Sequence, residues 1–367
     1  MALADAVHRI GRKGRVMRLF VQPADVWLFR DGRPFAGGED HRATSIFPPT
    51  PYTMQGAIRS ARLALCGASF TDPSAWPPEI GQPHDYGALQ LFGPFVAKRE
   101  EGGKVVRYFP LPADVVKVGD DYRVLRPLPP RESPYTTNAP LTPLWVRTHR
   151  SVAEASGWLA EEELKNYLQG KPFNPAMAHD LFAREPRFGV GIDSSVKRPR
   201  EGMLYQMEFV RLRPGVGLWL EVEGIALPDE GLLQLGGEMK AALYQVVADE
   251  PQLAPGGKVR DRFKLYFATP AYFSGGWQPA NGNWAALVGG PVRLVAAAVP
   301  RAQMLGGARV DVASQRGDFH RPMRPFVPAG SVYFFETDGE IDVTATITND
   351  GGQIGFGQVF VGRWDYV

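Results

Sequence analysis

The sequence predicts a β-rich α+β fold, and its composition provides the first reasons. The 41 glycines and 33 prolines make up about a fifth of the chain, against a usual share of roughly an eighth. No low-complexity repeat contains them, so they indicate many turns and long ordered loops. Hydrophobic residues at 44% and charged residues at 22% are typical of a globular chain. A length of 367 residues is enough for two domains of ordinary size.

The N-terminal region is predicted to run from a strand through a basic turn into a helix. Apolar residues alternate over 16–30, which indicates a strand. The turn that follows reads Arg30-Asp31-Gly32-Arg33-Pro34-Phe35. A helix is predicted next, from Pro51 to about Cys66. Its boundary residues are typical of helix ends: Thr50 as N-cap, Pro51 as the first residue and Gly67 as the stop.

From here to residue 252 short strands alternate with helices. The predicted strands are 104–110, 115–118, 122–125, 187–193, 203–211, 216–223 and 241–247. The predicted helices are 161–168, 176–183 and a short one that begins at Pro228-Asp229-Glu230, with its acids at the positive end of the helix. The order strand, helix, strands, helix, glycine turn, strand is that of a ferredoxin-like (RRM-like) domain enlarged by insertions.

The second half repeats this plan in a reduced form. Ala254-Pro255-Gly256-Gly257 is the best linker candidate. The elements predicted after it are strands 263–268, 292–299, 332–336 and 358–361, with a segment around 284–288. Each half has a glycine turn just before its last strand. We therefore predict two ferredoxin-like domains with long insertions, over 17–252 and 256–367, with a β-hairpin at about 187–211 and a basic, disordered leader over 1–16.

Charge and residue counts exclude several classes of protein. A formal net charge of +2 means that any nucleic-acid surface must be local. The single cysteine, Cys66, excludes an internal disulfide and is expected as a packed thiol on the first helix. The six histidines lack metal-ligand spacing, and no phosphate-binding P-loop sequence occurs. No apolar run approaches the 18 residues of a membrane span. We expect no metal, no cofactor, no membrane contact and a cytoplasmic location.

The first candidate binding residues lie on the basic turn and the helix after it. Arg30, Asp31 and Arg33 are candidates because arginine forks match phosphate oxygens bidentately and also stack on bases. The other interpretation of the turn is a solvated one, in which Asp31 accepts bonds from neighbouring amides. Gly56 and Arg59 follow early in the helix, where a small face allows close approach of either a packed strand or a sugar-phosphate chain.

The second group of candidates lies on the predicted hairpin and the glycine turns. Three cations cluster at the hairpin tip: Lys197, Arg198 and Arg200. Met203 and Tyr205 follow, and their apolar and aromatic side chains could cover a base. A charged tip is equally compatible with an ordinary soluble turn. The glycine turns could form anion-binding nests of free amides, although glycine turns are commonly structural. Their candidates are Gly236, Gly237, Gly355, Phe356, Gly357 and Gln358.

Taken in this order, the blocks resemble the RAMP superfamily of CRISPR systems, within it the family of type III-B (Cmr) subunits that cap the 5′ tag of the guide RNA. The resemblance covers most of 17–364, with one departure: Gly317-Asp318-Phe319 stands where a tryptophan is expected after the glycine. It implies an RNA-binding subunit without catalytic residues, whose 187–211 hairpin is the thumb. The implied partners are the guide CRISPR RNA, the large polymerase/cyclase-like subunit and the first backbone subunit, with target RNA contacted only indirectly.

Two other functions remain open on the sequence. Some RAMP relatives cleave precursor CRISPR RNA by acid–base chemistry, which needs a histidine or tyrosine beside the 2′-hydroxyl. His41 and Tyr52 are the candidates near the basic turn. A sugar-binding or hydrolytic protein is the third class, but no carboxylate pair stands in a recognisable setting.

Overall fold

The structure is a computed structural model that describes residues 16–31, 42–83, 85–129, 140–193, 195, 198–308 and 320–367. Arg33, His41, Lys197, the departure at 317–319 and nearly all of the predicted leader lie outside these ranges. Over the described ranges the chain is mostly β, with several antiparallel sheets and a few helices. The predicted α+β class is therefore confirmed, as a mostly β chain with a few helices. The assignment of two ferredoxin-like domains stays a prediction.

Strands account for most of the regular elements. In chain order they are β1 (Met17–Pro23), β2 (Arg42–Ala43), β3 (Gln90–Arg99), β4 (Val105–Pro110), β5 (Val115–Val118), β6 (Asp121–Val124), β7 (Arg126–Pro127), β8 (Leu144–Trp145), β9 (Val152–Glu154), β10 (Trp158–Ala160), β11 (Phe182–Asp193), β12 (Arg198–Leu212), β13 (Val216–Glu223), β14 (Glu230–Gln234), β15 (Ala241–Val246), β16 (Gly257–Phe267), β17 (Arg293–Ala298), β18 (Gln303–Ala308), β19 (His320–Phe326), β20 (Val332–Val343) and β21 (Val359–Arg363). The α-helices are α1 (Pro51–Leu65), α2 (Glu161–Leu168) and α3 (Ala285–Val288).

Contacts group the chain into two compact units that alternate along the sequence. Unit 1 contains 1–105, 179–249 and 304–324, and unit 2 contains 106–178, 250–303 and 325–367. The chain passes from unit 1 to unit 2 between Asp249 and Glu250, and the predicted domain bounds at 252 and 256 lie close to this point. The chain also passes between the units at points that were not predicted, because segment 106–178 packs with the C-terminal strands. The Tyr266 hydroxyl, for example, donates to the carbonyl of Pro110 at 2.6 Å.

Unit 1 contains an antiparallel run of five strands in the order β3-β13-β1-β15-β14. Helix α1 contacts β3 and β14 and buries Met54, Ile58 and Leu63. Strands β11 and β12 form a long hairpin whose base joins the rest of the unit through a bridge between Trp27 and Val210. Trp27 and Val210 are completely buried, so the base of the hairpin is fixed in the core.

Unit 2 contains the four-stranded antiparallel sheet β17-β20-β16-β21. Its core is dense in aromatic rings: Phe267 packs against Tyr333, and Phe263 stacks on Phe335 at 5.4 Å. The inserted segment 106–178 supplies α2, the pair β4–β10 and the small sheet β6-β5-β9. Burial of this kind, at about 25 cal/mol per Å² of apolar surface, is the main favourable contribution to folding.

Three local predictions are wrong. The predicted helix after Pro228 is strand β14, which pairs with β15 so that Leu233 and Leu235 point into the core. The predicted helix 176–183 is a single 3-10 turn over Ala178–Asp180 followed by the start of β11. Cys66 is exposed instead of packed, because it follows the last turn of α1, where the chain leaves the core.

Strand β3 has no counterpart in the sequence prediction. Gly93-Pro94 stands in its middle, and proline normally argues against a central strand. The ladder between β3 and β13 accommodates Gly93-Pro94 through a register shift between Trp219 and Glu221, and Gly93 adopts a φ of 103°. A Cβ there would lie 2.9 Å from the carbonyl oxygen of Trp219, so this position requires glycine. Among the residues described, no helix is long and apolar enough to cross a membrane.

Candidate nucleic-acid interface

The predicted turn residues Arg30 and Asp31 lie where the strand-like segment 26–30 meets Ser45. Arg30 is exposed and its backbone bridges to Ser45, while the amide of Asp31 donates to the carbonyl of Thr44 at 3.2 Å. The buried Ser45 hydroxyl accepts from the Phe29 amide at 3.1 Å and donates to the Glu208 carbonyl at 2.6 Å. Ser45 therefore ties the turn to the base of the β11–β12 hairpin.

The outer half of the hairpin has two different faces. On one face the ring of Tyr205 covers Gly189, and Met203 lies over Gly191. A Cβ at Gly189 would come within 2.2 Å of the ring, so glycine there lets the tyrosine lie flat across the strand. The other face exposes four apolar side chains: Phe188, Val190, Ile192 and Leu204. Arg198 is exposed near the tip, and Arg200 lies in β12.

Helix α1 presents Gly56 and Arg59 to a cleft of about 380 Å³ within unit 1. A Cβ added at Gly56 would meet nothing within 4 Å, so its small side leaves open space beside the helix. Another wall comes from the two-stranded sheet β18-β19, through Gly307 and Arg321. Aromatic rings complete the lining at three points: Tyr52, Phe70 and Trp76.

Two guanidinium groups in this cleft have polar atoms without a hydrogen-bond partner among the residues that the structure describes. Arg59 is 8% exposed, donates to Gln55 Oε1 at 3.2 Å and to the Gln82 carbonyl at 2.8 Å, and lies over the ring of Trp76. Arg321 stacks on Tyr52 with its Cζ 4.6 Å from the ring centroid. The buried Nε of each has no hydrogen-bond partner among the described residues. Burial lowers the pKa of the Arg59 guanidinium, and the positive charge of Arg321 acts in the same direction.

This arrangement is chemically suited to a phosphate with a neighbouring base. Buried donors without acceptors carry a free-energy cost of about 1–3 kcal/mol each, which an incoming phosphate oxygen would remove. Guanidinium groups bind phosphate through charge-assisted hydrogen bonds, and Phe70 and Trp76 offer rings on which a base can stack. The two glycines in the lining, Gly56 and Gly307, leave room for a sugar-phosphate chain.

The glycine turns serve the fold in this structure. Gly236 and Gly237 form the β14–β15 turn, and the Gly237 amide donates to the carbonyl of Leu28 at 2.7 Å. In unit 2, residues 355–358 are buried. Their four amides donate to protein acceptors, which are the carbonyls of Gly352, Gly351 and Pro270 and the hydroxyl of Thr269. A phosphate nest needs free amides, so the turn at 355–358 does not provide one in this conformation.

The structure thus brings only part of the predicted set together. Gly56 and Arg59 share one cleft, whereas the Arg30 turn and the hairpin meet at Ser45 instead. Arg321 was missed, because its segment 320–326 contains two prolines, which argue against a strand. The available signal there was a pair of arginines three residues apart, Arg321 and Arg324. No group of three or more potential metal ligands occurs in the part of the chain that the structure describes.

A cleft with two guanidinium groups and an aromatic lining thus lies on an α+β scaffold with a long hairpin, and comparison with known families shows the class of protein. A family model described as CRISPR-associated protein (Cas_Cmr3) matches residues 19–364. The chain belongs to this family and is a subunit of a type III CRISPR effector. A search of curated proteins returned no match.

Two solved structures that the chain resembles come from type III complexes. One is a chain of the "Type III-B Cmr-beta bound to cognate target RNA and AMPPnP", with 14% identity, 86% of both chains covered and a TM-score of 0.49. Another belongs to the "Csm3-Csm4 subcomplex in the type III-A CRISPR-Cas interference complex", with 9% identity, 95% of this chain and 99% of that chain covered and a TM-score of 0.40.

Proposed function

We propose that this chain is the non-catalytic subunit of a type III-B effector complex that holds the 5′ tag of the guide RNA. In this role it bridges the large polymerase/cyclase-like subunit to the first backbone subunit in the cytoplasm and meets target RNA only through the guide. The observation that carries the proposal is the pair of guanidinium groups, Arg59 and Arg321, with unsatisfied Nε atoms in an aromatic-lined cleft. A phosphate of the tag would supply the acceptors that these groups lack.

Arg321 is the residue on which to test this site. Arg59 also donates to the Gln82 carbonyl, so its removal would disturb the fold, whereas the Arg321 guanidinium stacks on the ring of Tyr52 and has no hydrogen bond to a described residue. Arg321→Gln is expected to raise the Kd of a guide 5′-tag oligonucleotide at least about 10-fold, since a hydrogen bond to a charged group contributes about 1.5–3 kcal/mol. The log–log dependence of binding on salt should become shallower by about 0.7. Fluorescence anisotropy measures both quantities.

The matched control is Arg324→Gln, which removes the same charge from the same strand outside the cleft lining. It should change the Kd less than about twofold, because a distant exposed charge is screened. Equal effects of the two substitutions would remove the cleft from the RNA site and leave only a diffuse contribution of net charge.

The absence of catalysis is part of the same proposal. Tyr52 lies beneath the Arg321 guanidinium, so in this proposal its ring supports that cation and does not act as a base. The purified protein is therefore expected to leave repeat RNA intact, as followed by denaturing gel electrophoresis. Specific cleavage that disappears in Tyr52→Phe or His41→Ala would establish the endoribonuclease alternative instead.

The hairpin is proposed to act in assembly more than in tag binding, because its outer half exposes an apolar face. Changing Lys197, Arg198 and Arg200 together to alanine is expected to impair assembly with guide RNA and the backbone subunit. Binding of the tag oligonucleotide by the protein alone should change little. Native mass spectrometry of the reconstituted complex measures assembly. Intact assembly with a collapsed tag affinity would place the tip in the tag site.

A further inference from the structure

A second basic cleft lies in unit 2, where β16 bends away from β21. Phe263 pairs with Arg363 in the antiparallel ladder, yet Gly256 forms a parallel bridge to Phe360 and its amide donates to the Val359 carbonyl at 3.0 Å. The intervening residues 257–262, here named the arch, leave β21 and return to it. Their bend coincides with a register shift and with a φ of 60° at Asp261. The arch and the end of β21 enclose a cleft of about 620 Å³, a size typical of ligand sites.

Four exposed cations line this arch cleft: Lys258, Arg260, Arg262 and Arg363. Three carboxylates also line it, those of Asp261, Glu340 and Asp365. Glu340 is shared between Lys258 at 3.7 Å and Arg260 at 3.3 Å, and Asp365 pairs with Arg262 at 3.3 Å. These exposed pairs contribute at most about 1 kcal/mol each, so a better anion can displace them.

Two of the cations are already prepared for a ligand. The side chain of Arg363 is exposed, lines the cleft and has no hydrogen bond or ion pair with any described residue. The Arg262 guanidinium lies 5.2 Å from the ring centroid of Tyr366 and 5.8 Å from that of Trp364. These cation–π contacts fix the orientation of the planar group, so less side-chain entropy is lost when an anion binds.

We propose that the arch cleft binds phosphate groups of single-stranded RNA, as a contact separate from the α1 cleft. A phosphodiester is the better ligand here because it accepts bidentate bonds from guanidinium groups, while the resident carboxylates each satisfy only part of the cation set. An acidic protein segment would offer the same carboxylate chemistry that Glu340 already supplies. The site gives unit 2 an RNA contact that its buried glycine turn at 355–358 does not provide.

The test is a charge reversal in the full-length protein. Arg260→Glu with Arg363→Glu is expected to raise the Kd of a single-stranded RNA about 10-fold or more and to make the log–log salt slope shallower by about 1.4, which is two phosphate contacts at about 0.7 each. The matched control is Lys171→Glu with Arg301→Glu. It changes the net charge equally at two exposed positions of unit 2 outside the cleft, and both quantities should stay near the wild-type values.

A second variant tests the site in the opposite direction, so that a loss of folding cannot imitate the result. Glu340→Gln with Asp365→Asn removes the competing carboxylates and is expected to tighten RNA binding several-fold. Equal behaviour of the arch and control variants, or unchanged affinity in this second variant, overturns the proposal. Displacement of bound RNA by AMP or ATP at micromolar concentration would also overturn it, because the cleft would then be a free-nucleotide site. If Arg321→Gln raises the Kd of RNA and the arch variants do not change it, the proposed tag site stands and the arch cleft is not an RNA site.

Discussion

Replacing Glu161 by alanine is expected to lower the free energy of unfolding by about 3–5 kcal/mol, because it leaves a buried charge without its partner. The Glu161 carboxylate accepts hydrogen bonds from Arg107 Nη2 at 2.5 Å and from Arg107 Nε at 3.0 Å. It also accepts the amides of Gln252 and Leu253 at 2.5 and 2.7 Å. The Arg107 side chain is 1% exposed, so water cannot replace the carboxylate. Urea denaturation followed by tryptophan fluorescence measures the change.

Two further variants separate this ion pair from ordinary helix effects. Glu162→Ala, next along α2, removes an exposed carboxylate that pairs with Lys165 at 3.2 Å and should change stability by less than about 1 kcal/mol. Arg107→Met with Glu161→Gln removes both charges and keeps an acceptor for the two amides. It should recover most of the loss, since a buried pair is often replaceable as a unit. A double variant as unstable as Glu161→Ala would mean that the backbone contacts, and not the charge, dominate.

Tyr167→Phe is expected to lower the free energy of unfolding by about 1.5–3 kcal/mol at a second buried pair, because it removes a hydrogen bond to a charged group. Lys264 Nζ lies 3.6 Å from Asp114 Oδ2 and 3.5 Å from the centroid of the Tyr167 ring. The Tyr167 hydroxyl donates to both carboxylate oxygens of Asp114, at 2.6 and 2.7 Å. Removal of that hydroxyl leaves a completely buried carboxylate with one donor fewer. In the background of Asp114→Asn with Lys264→Met the same substitution should cost less than about 1.5 kcal/mol, because the acceptor is then uncharged, as measured in the same urea experiment.

The same pair gives unit 2 a defined dependence on alkaline pH. Burial lowers the pKa of Lys264 from 10.5 to about 8, against the opposing attraction of Asp114. Between these values the unfolded chain holds a proton that the folded chain has released, so the free energy of unfolding rises with pH by up to about 1.4 kcal/mol per unit. Burial raises the pKa of Tyr167 above 10, which opposes this trend only at higher pH.

A scan of urea midpoints from about pH 7.5 to about pH 9.5 isolates the lysine. The wild-type protein should gain stability over this window relative to Asp114→Asn with Lys264→Met, which has no titrating group at the pair. Burial also raises the pKa of Asp114, and that effect falls on the acid side of the window. Parallel curves for the two proteins would mean that Lys264 keeps its proton throughout the scan.

Elements with local causes were predictable from the sequence. Helix α1 begins at Pro51 and ends before Gly67, whose φ of 64° is the left-handed stop that was expected. The β5–β6 hairpin turns at Gly119, also with a positive φ. Thr50 occupies the N-cap position with an extended backbone, although its hydroxyl contacts that of Thr53 instead of an amide.

Elements decided by distant contacts were not predictable in this way. Strand β14 is a strand because β15 pairs with it, and its local sequence reads equally well as a helix start. The cleft needed Arg321 to lie beside Arg59, which the spacing of either residue does not indicate. The two buried ion pairs join residues far apart in the chain, Arg107 to Glu161 and Asp114 to Lys264, so only the tertiary fold reveals them.

The alternation of the two units along the chain has a consequence for synthesis on the ribosome. Unit 1 uses residues up to 324 and unit 2 uses residues up to 367, so neither unit is complete until most of the chain has emerged. Domains usually fold one after another from the N terminus during translation, but here the first strand waits for partners translated much later. A nascent chain stalled near residue 252 is therefore expected to lack the wall that Arg321 provides, and to expose strand edges for chaperones to cover.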